Sequence, residues 1–453
     1  VSEGKPRLLA IRRDEWPLAL SLLAYFFLVI TTFWILKPLK KGLFIGFYKA
    51  GGFEILGWHA KAAQAELLAK IANMVVAFVA AAVFNVLSKR LHRQQLTYVF
   101  SAFFIGCFAF YAYAIAHPSG VEVWGFYLLG DLYSTLMVAT FFAFANDSFD
   151  SDTAKRLYGL IGVGGVAGGA VGSTIVSRMV ARATTTTWLV GAIGIAIAII
   201  LLAGYAGRLV TRRGAPAPKP SAPVDAKGSP ENGQEGSGSA ALAGARLVLR
   251  SRYLLAIVAI VGLYEMVSTI MDFQFTSSVE RALPAEAIGG HFADVFAVTN
   301  WTALVVQLLF TSWVMRRFGL TVALLILPAA AALGSSAFLI MPTLITGSAL
   351  NPADNAFSYS INQSAKEVLY VPTSRDEKYQ AKAFIDMFVQ RFAKSVAVLL
   401  SLGISTWISS FQGVRLLSIA TLAILAVWAL AARSAGRRFE ALEDRDHARE
   451  AAT

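Results

Sequence analysis

Apolar residues gather along this chain in blocks of roughly twenty, broken by short polar or basic stretches, a spacing that predicts helices long enough to cross a membrane. Twelve such blocks can be placed, near 16–36, 66–88, 97–117, 121–147, 156–180, 187–208, 253–275, 292–314, 319–341, 343–371, 380–402 and 410–432. The first either stops at 36 or runs on to Tyr48 through WPLALSLLAYFFLVITTFWILKPLKKGLFIGFY. Between the sixth and seventh lies GAPAPKPSAPVDAKGSPENGQEGSGSA, where Pro, Gly, Ser and charge leave too little apolar surface to bury a core. The expected organisation is an N-terminal six-helix half (1–213), a disordered cytoplasmic linker (214–244), a C-terminal six-helix half (245–435) and a charged cytoplasmic tail (436–453).

Basic residues then orient the spans. Arg7, Arg12 and Arg13, Lys89, Arg90 and Arg93, Lys155 and Arg156, Arg316 and Arg317, Lys378, and Arg433, Arg437 and Arg438 all fall on one side, which is expected to be cytoplasmic. Both termini lie on that side, in a bacterial-type inner (cell) membrane crossed many times. The basic N-terminal segment leads into a full-length span with no A-x-A-like cleavage site, the pattern of a retained signal anchor. The halves repeat weakly. Spans 2 and 8 end in the basic hairpins LSKRLHRQQLTYV and WVMRRFGLTVALLI. AFANDSFDSDTAKRLYGLIG and VLYVPTSRDEKYQAKAFIDM both run from a helix through an Asp-bearing loop into a Lys-bearing helix start. An all-α polytopic membrane protein with twelve transmembrane helices in two like-oriented six-helix halves has the plan of the major facilitator superfamily.

With 56% hydrophobic and only 15% charged residues over 453 positions, a water-soluble enzyme is excluded. The single cysteine, Cys107, offers neither a disulfide framework nor a cysteine metal site. The five histidines show no metal-ligand spacing, and no Ser/His/Asp constellation stands out, so no catalytic residue, metal or cofactor is assigned. The run YGLIGVGGVAGGAVGST lacks the GK[ST] ending of a phosphate loop. Gly164, Gly168 and Gly172 instead have the small-xxx-small spacing that lets helices approach closely. The basic linker and tail read as topology determinants and solvated ends, not as a nucleic-acid site.

Charge inside the apolar blocks is the most informative chemistry. Lys37, Lys40 and Lys41 sit within the first run, which as one helix would be about 50 Å long against a hydrocarbon core of about 30 Å, so they need not anchor to headgroups. An ionisable side chain at membrane depth costs about 2.5–3.5 kcal/mol and therefore faces a water-filled cavity or a partner charge. In a chain of net charge +12 such a cavity suits an anion. Asp131 lies in the middle of span 4 and Asp272 late in span 7, with Glu265 seven residues earlier and on a shared face. Arg391 and Lys394 share one face of span 11. Lys366 stands beside Glu367 at the end of span 10. Plainer roles are available for each. Asp131 and Arg391 could form a buried ion pair that locks two helices, Lys41 could be hydrated at a cavity mouth, and Lys366 with Glu367 could position a helix end. Taken together, the charges on spans 1, 4, 7 and 11 exceed what packing requires.

Four stretches carry a family resemblance: FWILKPLKKGLF, GDLYSTLMVATFFAFANDSFDSDTAKRLYGLIGVG, STIMDFQF, and SAKEVLYVP followed by KYQAKAFIDMFVQRFAKS. Through them the chain resembles the nucleotide transporters, the ATP/ADP translocases of plastids and obligate intracellular bacteria, which are remote members of the major facilitator superfamily. The resemblance implies that Lys40, Asp131, Asp272 and Lys394 are counterparts of the intramembrane charges on which transport in that family depends, with Lys37 in place of the family's arginine. Both family glutamates are aspartates here. The acid after the first-span lysine is Lys41, the lysine after the span-7 acid is Thr276, and Ala393 and Val396 replace glycines around Lys394.

The expected function is secondary active transport of an anionic solute, with a nucleotide in ATP/ADP-type exchange favoured, by alternating access. Lys37, Lys40, Arg391 and Lys394 are expected to contact phosphate or carboxylate oxygens. Asp131 and Asp272 pair with cations in the empty carrier, and Lys41, Glu265 and Lys366 are secondary candidates. The partners are the lipid bilayer and a small anion, not nucleic acid, and the protein is expected to be a monomer and not an enzyme. Two alternatives stand beside this reading: a proton-coupled exporter of an organic polycarboxylate or metal-chelator anion, and a membrane sensor that binds a ligand without moving it.

Overall fold

The computed structural model describes residues 15–55, 57–148, 151–212, 245–370, 373 and 381–450. The expected linker at 214–244 lies outside them, as do Arg7, Arg12, Arg13 and Lys378.

The first apolar run forms one helix, α1 (Trp16–Gly51), so the longer of its two readings holds. Pro17 sits in the first turn, where its missing N–H costs nothing, whereas Pro38 lies inside the helix, one residue from Lys37 and two from Lys40. The helix ends at Gly52, whose φ of 68° falls in the left-handed region that glycine enters without strain. A short antiparallel hairpin follows, β1 (Phe53–Ile55) and β2 (Trp58–Ala60), with Glu54 opposite His59. Its strands are three residues each, a size that apolar-block reading passes over. Then come α2 (Ala62–Arg90), α3 (Arg93–Ala114), α4 (Gly120–Ser148), α5 (Ser151–Met179) and α6 (Thr185–Arg212).

These helices form one compact unit in which α1 packs on α2, α4, α5 and α6. The glycine spacing of α5 has the predicted use. A Cβ on Gly164 would lie 2.8 Å from the Leu23 carbonyl oxygen, and one on Gly172 would lie 2.7 Å from that of Thr31. The two backbones therefore touch, and Thr31 Oγ1 donates to the Gly168 carbonyl at 3.2 Å. Tyr25, Phe104, Phe108, Phe126, Tyr133 and Phe141 fill the core beside this seam.

Pro284–Asn300, the greater part of α8 (Ala285–Val305), packs with this first unit, although the chain pattern had assigned it to the second half. The reason is again glycine: a Cβ on Gly42 would lie 2.6 Å from the Gly289 Cα, so only a glycine pair allows this crossing.

A second compact unit holds α7 (Arg252–Ala282), α9 (Thr311–Ile340), α10 (Leu344–Phe357), α11 (Gln363–Leu369), α12 (Gln390–Trp407) and α13 (Phe411–Glu450). Here the blocks at 343–371 and 380–402 are not single regular helices. Ser358–Asn362 is a π-helical turn between α10 and α11, and Ile385–Val389 is another between a short turn, Lys382–Phe384, and α12. Small hydroxyl side chains contribute locally, since Ser360 Oγ donates back to the Ala356 carbonyl at 2.7 Å and competes with the helical ladder. A third π-turn, Val306–Phe310, joins α8 to α9, and the expected break between the blocks at 292–314 and 319–341 is present within α9 at Gly319, whose φ of 78° and ψ of 177° are not helical and separate two helical segments. The tail expected from 436 continues α13 as helix to Glu450.

Nine helices among the described residues are long and apolar enough to cross a membrane, the run Ala285–Ile340 counting once. The chain is thus a mostly helical, multi-pass membrane protein.

Candidate anion-binding site

In the first unit, Lys40 and Lys41 on α1 point to one region faced by α2 and α4, while Lys37, one turn earlier, meets other side chains. Lys40 is buried, its side chain 5% exposed, and its ammonium pairs with one carboxylate oxygen of Asp131. Asn73 of α2 donates to the other. The Asp131 side chain is still 39% exposed, so this carboxylate faces open space while its lysine does not. The Lys40 stem passes over Gly130, where a Cβ would lie 2.6 Å from Cδ. Its ammonium also rests 4.4 Å from the centre of the Tyr127 ring.

A second ion pair lies beside the first. Lys41 Nζ is 3.1 Å from Glu66 Oε1, and the Tyr127 hydroxyl donates to the same oxygen at 2.9 Å. Both partners are buried, Glu66 at 2% exposure, and the Lys41 ammonium also faces the Phe292 ring at 5.1 Å. Lys41 is therefore not hydrated at a cavity mouth, one of the roles open to it from the sequence. Its burial is made tolerable by an acid on another helix. Lys37 takes a different environment, with its ammonium 4.3 Å from the Trp34 ring centre and 4.9 Å from that of Phe296. Such faces attract a cation without neutralising it.

The second unit gathers its own charges. Glu265 on α7 lies in the electrostatic field of Lys394 on α12 and Lys366 on α11. Among the described residues, Glu265 and Lys394 make no ion pair closer than 4 Å to any partner. The Lys366 ammonium rests 5.3 Å from the Tyr264 ring centre, and Tyr264 accepts a 2.6 Å hydrogen bond from Ser358 in the π-turn. Glu367 does not join Lys366; it takes Lys382, at 2.6 Å and 2.9 Å. Asp272 acts electrostatically on Tyr359, together with Asp354 and Glu265. Arg391 lies three residues before Lys394 on α12, half-buried like it.

Asp354 was absent from the sequence candidates, as were Glu66, Asn73 and Tyr127. Asp354 is 2% exposed on α10 and accepts a 2.5 Å hydrogen bond from Ser268 of α7. The polar run NPADN inside an apolar block was its signal. Glu66 stands at the first position of a predicted span, where a charge is unremarkable, and an aromatic such as Tyr127 has no distinguishing mark in a membrane core.

Chemically, the first unit presents amines beside a carboxylate that can exchange partners. A phosphate oxygen is the natural competitor for Lys40, because it offers the same charge with more acceptor sites.

Comparison with known proteins agrees with this chemistry. The family described as TLC ATP/ADP transporter matches residues 120–349 and 331–439. ADP,ATP carrier protein 1 of Chlamydia muridarum is 25% identical over 351 residues, covering 69% of this chain and 64% of that protein. The chloroplastic ADP,ATP carrier protein 2 of Arabidopsis thaliana is 24% identical over 417 residues, covering 79% and 65%. The chain therefore spans a little under two thirds of the length of these relatives. Among solved structures, a mutant form of the nucleoside transporter NupG superposes with a TM-score of 0.60 at 13% identity, covering 94% of this chain and 99% of that one. A POT family transporter in complex with 5-aminolevulinic acid gives a TM-score of 0.58 at 11% identity, with 91% and 96% covered. Likeness at that identity establishes the fold, which is of the major facilitator type. The family match extends over well more than half of the sequence, and on it the chain belongs to the TLC ATP/ADP transporter family.

Proposed function

We propose that this protein is a secondary transporter that exchanges nucleotides of the ATP/ADP type across a bacterial-type cell membrane by alternating access. In this reading twelve spans form two six-helix halves, the termini are cytoplasmic, and a monomer is the working unit. Membership of an ATP/ADP transporter family and the names of the relatives support the substrate.

The observation that carries the reading is the Lys40–Asp131 pair. A lysine buried in a transmembrane helix is held by a carboxylate that is itself accessible, so an entering phosphate can take over the lysine without first crossing a barrier of packed side chains. Lys37, Arg391 and Lys394 are assigned as further anion contacts. Asp131 and Asp272 are assigned as acids that balance cations when no substrate is bound. Lys41 with Glu66 has a supporting role, since each satisfies the other away from the exposed carboxylate.

Purified protein in liposomes preloaded with ATP is expected to take up labelled ADP, and empty liposomes are not. Lys40→Ala and Lys394→Ala are each expected to lower uptake at least a hundredfold while the variants still elute as folded protein. Uptake that survives both substitutions would remove these lysines from the transport site.

A further inference from the structure

We propose that Tyr127 is a positioning residue for Lys40: its ring is a fixed platform on which the lysine ammonium moves from Asp131 to a phosphate oxygen of the substrate. This rests on the reading of Lys40 as a phosphate contact and adds a residue to it.

Three observations fix the platform. The ring is buried at 3% exposure and packs against Phe44, ring centres 4.9 Å apart. Its hydroxyl donates to Glu66 at 2.9 Å, and Glu66 is itself held by Lys41. Tyr127 therefore cannot turn without breaking a buried hydrogen bond to a charged acceptor. Lys40, in contrast, has a flexible four-carbon stem.

The track is built into one face of α4. Tyr127, Gly130 and Asp131 stand at i, i+3 and i+4, so the ring, the gap and the carboxylate follow one another along the helix. Gly130 leaves room for the lysine stem, and any side chain there would collide with Cδ. At one end of the track Lys40 meets Asp131, and there its ammonium lies 4.4 Å from the ring centre. A neutral ring suits this role better than a second acid. It holds the ammonium most strongly once the ammonium has left the Asp131 carboxylate, and it adds no negative charge to repel a phosphate. Lys37 against Trp34 and Phe296, and Lys41 against Phe292, also set an α1 ammonium over aromatic rings.

The test is ADP binding to the purified full chain by titration calorimetry, in wild type and Lys40→Gln backgrounds. Lys40→Gln is expected to weaken ADP strongly; binding as tight as wild type would overturn the phosphate reading and this inference with it. With that arm satisfied, Tyr127→Leu is expected to raise Kd by about fivefold or more in the wild-type background, the scale of a desolvated cation–π contact. In the Lys40→Gln background the same change is expected to alter Kd less than twofold. Tyr127→Phe, which keeps the ring and its packing on Phe44 but loses the bond to Glu66, is expected to lose clearly less than Tyr127→Leu. Equal losses from Tyr127→Leu in both backgrounds, or a Tyr127→Phe loss as large as that of Tyr127→Leu, would overturn the inference and leave the phosphate reading intact. Should Tyr127→Leu fail to fold, phenylalanines of increasing fluorination at position 127 keep the shape and drain the ring's negative face. Kd is then expected to climb with each fluorine in the wild-type background only, and a flat series overturns the proposal.

Discussion

The two units carry nearly the same chemical inventory and hold it in opposite ways. In the first, Lys40 and Lys41 close onto Asp131 and Glu66 as contact ion pairs, set on long regular helices. In the second, Glu265 feels Lys366 and Lys394 only at longer range, and the segments that carry these lysines are interrupted by π-turns. A contact pair buried on both sides, such as Lys41–Glu66, is costly to break, and one with a half-exposed carboxylate, such as Lys40–Asp131, is less so. Charges held apart on helices interrupted by π-turns reorganise cheaply. The first unit thus resembles a preset receptor, and the second an adaptable one.

The largest effect that can break this contrast is on stability. Lys41→Met strands the carboxylate of Glu66, 2% exposed, without its cation, and is expected to cost about 3–5 kcal/mol. Lys394→Met removes a cation that closes no ion pair among the described residues and is expected to stay within about 0.5 kcal/mol. Thermal unfolding of the two variants in the same detergent measures the difference. Equal losses would mean that Lys394 is bound as tightly as Lys41, and the contrast between the units would disappear.

A smaller effect of opposite sign is expected in the second unit. Asn362 closes the π-turn Ser358–Asn362 with its side chain fully buried, and neither amide atom finds a partner among the described residues. An unsatisfied buried amide is a standing cost, so Asn362→Leu, of similar size, is expected to raise stability by about 1–2 kcal/mol. If the strain belongs to an adaptable segment, the same variant transports more slowly. A stabilised variant with unchanged uptake would make this π-turn a packing defect and not part of the cycle.

The sequence showed the scaffold more fully than the site. Hydropathy blocks placed the helices because membrane thickness imposes a length, and the glycine spacing of α5 foretold its contact with α1 because only small residues permit that approach. Irregularity was hidden. Nothing in SYSIN or IDMFV marks a π-turn, since one extra residue in a helix leaves composition unchanged. For the site, charge within apolar blocks was a sufficient signal for Lys40 and Asp131, which the structure brings together. It failed for Glu66, which lies at a block edge, and for Tyr127, whose importance depends on which face of which helix it meets. Periodicity assigns a residue to a helix face; it does not say what stands opposite.

The finest distinction between the units concerns competition for the ligand. Asp131 gives one oxygen to Lys40 and the other to Asn73, and with its side chain 39% exposed the pair is expected to hold only about 1 kcal/mol against an incoming anion. Asp131→Asn removes the charge that competes with phosphate while keeping an oxygen for Lys40, and is expected to tighten ADP binding about fivefold, the equivalent of that energy. Glu265→Gln, at a carboxylate that closes no ion pair among the described residues, is expected to change ADP affinity less than twofold. Titration calorimetry on both variants reads the difference. Weaker ADP binding by Asp131→Asn would mean that the carboxylate orients Lys40 toward the substrate and does not hold it back, and the preset character of the first unit would then lie in Tyr127 and Glu66 alone.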